Sequence, residues 1–139
     1  MTATFEQGRA DIFARVKAAW DPTGYGMAWP DVPDDTLPPT SQVPWARTSL
    51  RHADGGQRGF GPDKRRYERT GILTIQVFAP KGDGLSRCYQ LAKILADGLE
   101  GQATPRGVWF RNVRVREAAD SGNFSQVNVL ADFTYDEVK

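Results

Sequence analysis

A proline-rich segment constrains the fold of this chain most, because six of its nine prolines fall between residues 21 and 44. Proline lacks an amide hydrogen and fixes its φ angle, so this segment can neither continue a helix nor form a central strand. A flexible linker normally lacks large apolar side chains. This segment carries several, among them Tyr25, Met27, Trp29, Val32 and Leu37. We therefore predict an ordered proline-rich arm over residues 21–44 that packs on its own core or on a neighbouring subunit.

Two stretches outside the arm have apolar residues at helical spacing. Residues 4–20 begin with Thr4 and Gln7 in the positions of a capping box, which predicts a helix start. The second stretch, residues 85–99, carries one apolar stripe at intervals of three and four, and Gly101 follows it as a stop signal. The sequence therefore predicts two amphipathic helices, one on each side of the first pair of strands.

Four further stretches are rich in β-branched and aromatic residues and show the alternation of strands. They cover residues 45–52, 67–78, 108–117 and 124–135. The order α-β-β-α-β-β gives hairpins rather than repeated βαβ units. We predict an α+β fold in which the two helices pack on one face of a largely antiparallel four-stranded sheet. A chain of 139 residues has the length of a single domain, which we place at residues 1–139.

A basic loop lies between the first two predicted strands. Residues 53–66 are rich in glycine and in charges of both signs, which predicts a mobile hairpin loop. Aromatic side chains separate basic ones around it, a pattern that binds either proteins or nucleic-acid backbones. We predict partner or channel contacts for Arg58, Lys64, Arg65, Arg66 and Arg69. A solvated hairpin tip, a protein contact and a DNA contact stay open as interpretations, although the net charge of +1 gives little support to DNA binding.

The basic residues of the third strand receive a face assignment from simple alternation. Arg114 and Arg116 are predicted to share a face with Phe110, and Arg111 to share the other face with Trp109. The same alternation puts Arg111 beside two valines, where a guanidinium group requires an acidic partner.

Nothing in the chain has the spacing of a catalytic or metal site. His52 is the only imidazole and Cys88 the only thiol, so a small hydrolase built on this pair is the weakest interpretation, and no zinc-type ligand set exists. The carboxylates fall in loops without the apolar surroundings that raise a pKa. We predict no enzymatic activity, no cofactor and no metal. No run of apolar residues has membrane-spanning length and no signal peptide is recognisable, so we expect synthesis in a cytoplasm.

Several sequence segments resemble the tail terminator, or tail completion, proteins of long-tailed bacteriophages. The segments are residues 65–71, 73–78, 84–86, 107–113, 126–129 and 133–137. The resemblance implies a structural virion protein, made in the host cytoplasm, that forms a hexameric ring. Such a ring caps the tail tube, joins it to the head connector or stopper protein, and contacts passing DNA weakly. It implies no cofactor and no catalytic residue.

A ring requires a subunit interface, and exposed apolar groups of the arm and of the last strand are the natural candidates. We predict that this interface includes Trp29, Val32, Leu37, Phe133 and Tyr135. A head-completion or connector adaptor is the alternative within the same class, and a nucleic-acid-binding module that uses the loop Arg58–Arg69 is an alternative from another class. Binding to phosphates weakens steeply with salt and apolar assembly does not, which separates these interpretations.

Overall fold

The antiparallel pairing of two long strands organises the fold. In the computed structural model, which describes all residues from Met1 to Lys139, β4 (Arg65–Pro80) pairs with β6 (Phe124–Val138) along its length. Strand β2 (Trp45–Asp54) pairs with the free edge of β4, and β5 (Trp109–Ser121) pairs with the free edge of β6. β4 and β6 thereby occupy the centre of the sheet. The apolar groups on both faces of β4 are typical of such an interior strand.

Both helices pack against one face of this sheet. Helix α1 (Phe5–Trp20) begins with the predicted capping box of Thr4 and Gln7, and α2 (Gly84–Leu99) presents the predicted apolar stripe. The buried residues of both helices form a single cluster with one side of the sheet. Close approach of the helices depends on Gly98, where an added Cβ would lie 2.7 Å from the Cβ of Ala19. The α+β class and the placement of both helices on one face are therefore confirmed.

The strand register divides the sheet into two chemically different faces. Leu73, Ile75 and Val77 of β4 are buried under the helices, whereas Ile72 and Thr74 point to the opposite side. No helix covers that side, which we call the open face: the residues of β2, β4, β5 and β6 that point away from α1 and α2. Burial on one face stabilises the domain, and the other face is left free for other contacts.

The prediction of four strands was wrong, because the sheet has six. Strand β1 (Gly26–Ala28) pairs in parallel with β2 at the sheet edge, and β3 (Gln57–Phe60) pairs with β4. The first lies within the proline-rich segment and the second within the glycine-rich one, and neither is long enough to show alternation. The sheet is consequently mixed, and its strand order is β1-β2-β4-β6-β5 with β3 as an extra partner of β4.

The segment 21–44 does not stand out as a separate arm, which corrects that part of the predicted fold. It begins with a short 3-10 turn, Asp21–Thr23, and continues into β1. Trp29 packs on the ring of Phe13 in α1, and Leu37 lies directly over Gly26. Residues 31–36 and 40–43 are exposed throughout. The aromatic groups of this segment therefore pack on their own subunit, one of the two possibilities that the sequence left open.

A β-bulge in β5 overturns the face assignment of its arginines. The register with β6 shifts between Arg111 and Arg114, and Asn112 in the middle adopts a positive φ of 52°. The extra residue puts Arg111 and Arg114 on the same face, the open one. Simple alternation failed here because it assumes one residue per register position, which a bulge breaks. The guanidinium group of Arg111 is thus exposed and not surrounded by valines.

The closest approach inside the sheet generates a stability prediction. A Cβ at Gly71 would overlap the ring of Phe133 and the carbonyl oxygen of Arg51. We expect Gly71→Ala to lower the free energy of unfolding by about 3 kcal/mol, because a packed core resists insertion of even one methyl group. Urea denaturation measures the loss, with Gly82→Ala as the control, since no atom lies within 4 Å of a Cβ there. Equal stability of the two variants would contradict the packing described.

Candidate partner-contact surfaces

The predicted basic loop is for the most part a regular hairpin. Strands β3 and β4 pair from Gln57 with Tyr67 to Phe60 with Arg65, and the amide of Gly61 donates a 2.7 Å hydrogen bond to the carbonyl of Lys64. This tight turn leaves Phe60 at the end of the hairpin, where 87% of its surface is exposed. An aromatic side chain exposed to this degree in a regular element is a candidate anchor for a partner.

The five predicted contact cations fall into three groups. Arg58 lies 3.6 Å from the carboxylate of Glu68, and Arg66 lies 2.9 Å from that of Asp136. Lys64 and Arg65 have no carboxylate within 4 Å, so their charges are free. As neighbours in a strand, Arg65 and Arg66 point to opposite faces of the sheet. Arg66 belongs to the open face, whereas Arg65 lies beside Phe60 on the helix side.

Arg69 forms the third group, because its side chain is used inside the subunit. Its guanidinium group makes a buried ion pair with Glu137 at 2.8 Å and donates to the carbonyl of Gly55, also at 2.8 Å. It also lies over the rings of Phe5 and Tyr67, at 4.5 and 4.9 Å from their centroids. Arg69 therefore holds α1, the start of the hairpin and the end of β6 together, and it is not available as a surface contact in the single subunit.

The interface residues predicted from the sequence are likewise divided. Val32 is exposed, while Trp29 and Leu37 are half-buried by the contacts with α1 and Gly26 described above. Phe133 and Tyr135 are core residues, because strand alternation points them under the helices and not outward. Of the five, Val32 is thus the one whose surface is mostly free.

His52 and Cys88 are not brought together as a catalytic pair. Nε2 of His52 lies 2.7 Å from the hydroxyl of Tyr135, and its ring is packed edge-on against Phe5 and Phe133. Burial, aided by the charge of Arg69, lowers the pKa of His52, so the ring is neutral and Nε2 can accept a hydrogen bond from the tyrosine hydroxyl. Burial also raises the pKa of Tyr135 to about 12.

The thiol of Cys88 has a different environment from that of the imidazole. It is fully buried on the helix stripe, and its sulphur lies 3.3 Å from the carbonyl of Ser125. Burial raises the pKa of this thiol, which keeps it in the unreactive protonated form. The apolar stripe of α2 predicts that Cys88 packs with Leu85, Leu91, Ala92 and Leu95. Cys88 packs in the core with the last three, whereas Leu85 is 38% exposed.

The open face contains charged residues that sequence reasoning did not single out as a site. Six arginines belong to it: Arg47, Arg51, Arg66, Arg111, Arg114 and Arg116. Only Arg66 and Arg114 have a carboxylate within 4 Å, the latter that of Asp132 at 3.3 Å. The signal was present in β2, where Arg47 and Arg51 occupy alternate positions with Ser49. It was missed in β5 because of the bulge.

Other kinds of site are not seen in the chain. No three His, Cys, Asp or Glu side chains come together as they would to hold a metal ion. Neither helix has the length and apolar character needed to cross a bilayer. The hairpin tip carries the exposed Phe60, and the open face carries four arginines without a carboxylate within 4 Å.

Comparison with known proteins gives a family match and a solved structure of similar fold. A family model described as phage tail terminator protein matches residues 9–125. A solved chain that carries only a sequence identifier as its name is similar in fold, with a TM-score of 0.66, 20% sequence identity and 91% coverage of each chain. No curated protein sequence is similar enough to count as a relative.

The buried ion pair allows a quantitative test of the role assigned to Arg69. We expect Glu137→Gln to lower the free energy of unfolding by about 3 kcal/mol, because it leaves a buried guanidinium group without its counter-charge. Asp97→Asn is the control, since it removes an exposed pair with Lys93 that solvent screens and that contributes little to stability. Urea denaturation of both variants measures the difference. Equal losses would mean that Arg69 does not join the three elements as described.

Proposed function

The chain belongs to the phage tail terminator family, and from this membership we propose that it forms a ring of six subunits that caps the tail tube. It is a structural component of a phage tail. In the proposed role, one side of the ring meets the last layer of tube protein and the other side meets the head connector or stopper protein. The protein acts at the head-to-tail junction without a cofactor and without catalysing a reaction.

One observation carries the assignment of the tube or connector contact to the β3–β4 hairpin. Its tip presents the exposed Phe60 together with the free charges of Lys64 and Arg65. Aromatic and arginine side chains dominate the energetics of protein interfaces, and an arginine can orient a partner carboxylate with two parallel hydrogen bonds. A tip of this composition matches a partner surface that combines an apolar pocket with acidic groups.

Contact with DNA is the competing role for the same tip. A ring at the junction surrounds the path of the genome, and free cations in its channel would attract phosphates. A moving duplex must not be held tightly, so only weak attraction screened by salt is compatible with genome passage. The exposed ring of Phe60 has no partner on the backbone of a duplex, which favours the protein contact.

Tail-tube binding by single variants tests this proposal. We expect Phe60→Ser and Arg65→Ala each to weaken co-sedimentation with tail tubes about tenfold, because each removes an anchor of the contact. Arg66→Ala has a smaller effect, since Arg66 is already paired with Asp136. Lys93→Ala is the matched control for loss of an exposed cation on the outer surface of α2.

Three outcomes are informative besides the expected one. Normal tube binding by Phe60→Ser and Arg65→Ala contradicts the hairpin contact. Normal binding combined with altered DNA retention, seen most clearly in the double variant Arg65→Ala/Arg66→Ala, supports the channel role instead. Binding to isolated connectors but not to tubes supports the adaptor role.

A further inference from the structure

The open face has a regular arrangement of charge. Two rows of register partners cross it from β2 to β5, namely Arg47-Gln76-Asn128-Arg116 and Arg51-Ile72-Asp132-Arg111. Each row thus ends in an arginine on both sides. With strands about 4.8 Å apart, the arginines of β2 and β5 form two columns about 14 Å from each other. The strip between the columns is formed by β4 and β6.

The four arginines at the row ends are electrostatically unsatisfied. Arg47, Arg51, Arg111 and Arg116 have no carboxylate within 4 Å, and the three acidic residues of β4 and β6 on this face are each paired with another arginine. Asp54, at the end of β2, is the one unpaired carboxylate that borders the face. Four like charges held on one rigid sheet favour an acidic partner.

The strip between the arginines identifies that partner as protein. Ile72 is 41% exposed and, together with Leu130, lines a shallow depression of about 400 Å³. Burial of these apolar groups stabilises a complex with a peptide segment, whereas the sugar-phosphate backbone of a nucleic acid offers no apolar side chain for them. The occupant is therefore a segment that carries both carboxylates and aliphatic side chains.

The chain itself contains a segment of this composition. Residues 31–36 are exposed throughout and include Asp31, Val32, Asp34 and Asp35. Asp34 and Asp35 make no ion pair within the subunit. Asp31 makes one long, exposed ion pair, with Arg9 at 3.8 Å. The backbone amide and the hydroxyl of Thr36 donate to the carboxylate of Asp34, which lowers the pKa of Asp34 and keeps it charged. Pro30 precedes the segment and Pro33 lies within it, and both limit its conformational freedom.

The position of the segment also fits a contact with the open face of another subunit. Residues 31–36 lie between two turns, closed by hydrogen bonds from the amide of Val32 to the carbonyl of Trp29 and from the amide of Leu37 to the carbonyl of Asp34. The two arginine rows lie four residues, or about 14 Å, from each other along β2. The segment follows β1 at one edge of the sheet, whereas Arg111 and Arg116 lie on β5 at the opposite edge. Two complementary surfaces at opposite edges of one chain produce a head-to-tail contact, which is the type of contact that closes a ring.

We propose that residues 31–36 of one subunit dock on the open face of the next subunit, with Asp34 and Asp35 between Arg111 and Arg116 and Val32 against Ile72 and Leu130. This inference rests on the proposed ring and specifies which surfaces form it. It assigns a role to the proline-rich segment, to the arginines that have no partner and to the uncovered side of the sheet.

Charge reversal tests this contact. The segment variant Asp34→Lys/Asp35→Lys and the face variant Arg111→Glu/Arg116→Glu each place like charges opposite one another. Each variant alone is therefore expected to form no ring in native mass spectrometry and light scattering. In an equimolar mixture, every segment 31–36 again meets an open face of opposite charge. The mixture therefore forms a ring in which the two variants alternate. Asp83→Lys/Glu100→Lys is the control, because it changes the net charge equally at exposed positions that have no ion pair.

The outcomes separate this inference from the proposed function. Two outcomes overturn the contact without contradicting the proposed ring. In the first, each reversed variant forms rings alone. In the second, the mixture stays monomeric although circular dichroism shows that both variants are folded. A wild-type chain that forms no ring either alone or on tail tubes contradicts the proposed function. Loss of the ring in the control variant as well would show that net charge, and not the paired surfaces, governs assembly, and this also overturns the contact.

Discussion

Burial of only one face of the sheet is the constraint on which the rest of the structure depends. The long β4–β6 pairing places alternate residues under two helices, and those residues form a continuous core with α1 and α2. The same alternation necessarily presents an equal number of residues on the other side. Because no second layer of helices exists, the composition of that side is free of the demands of folding. It is mixed, with unpaired arginines around a strip of polar residues that also contains Ile72 and Leu130, which is typical of a surface that another chain covers.

The sequence was informative where long periodic patterns dominate. The stripe of α2 and the alternation of β4 predicted those elements and their buried faces, and the capping box gave the start of α1. These inferences succeeded because periodic burial over ten or more residues averages out local exceptions.

The failures were local and have identifiable causes. Strand β1 is held by parallel pairing to β2, a long-range contact that three residues cannot signal. Arg69 looked like part of an exposed basic loop, yet its partner Glu137 is 68 residues away and both are buried. The bulge at Asn112 moved Arg114 and Arg116 to the open face, where Arg111 already lies. In each case a tertiary contact or one inserted residue decided the outcome, and neither leaves a pattern in the local sequence.

In the proposed assembly, one face of the sheet folds the subunit and the other face binds the neighbouring subunit. Hydroxyl-radical footprinting, read by mass spectrometry, tests this claim with two isoleucines that are equally exposed in the single subunit, at 41% each. Ile72 lies on the open face and Ile94 on α2. If a neighbouring subunit covers the open face, assembly reduces the oxidation of Ile72 severalfold and leaves that of Ile94 unchanged. Oxidation of Ile72 at the same rate in the free and the assembled protein would contradict this claim.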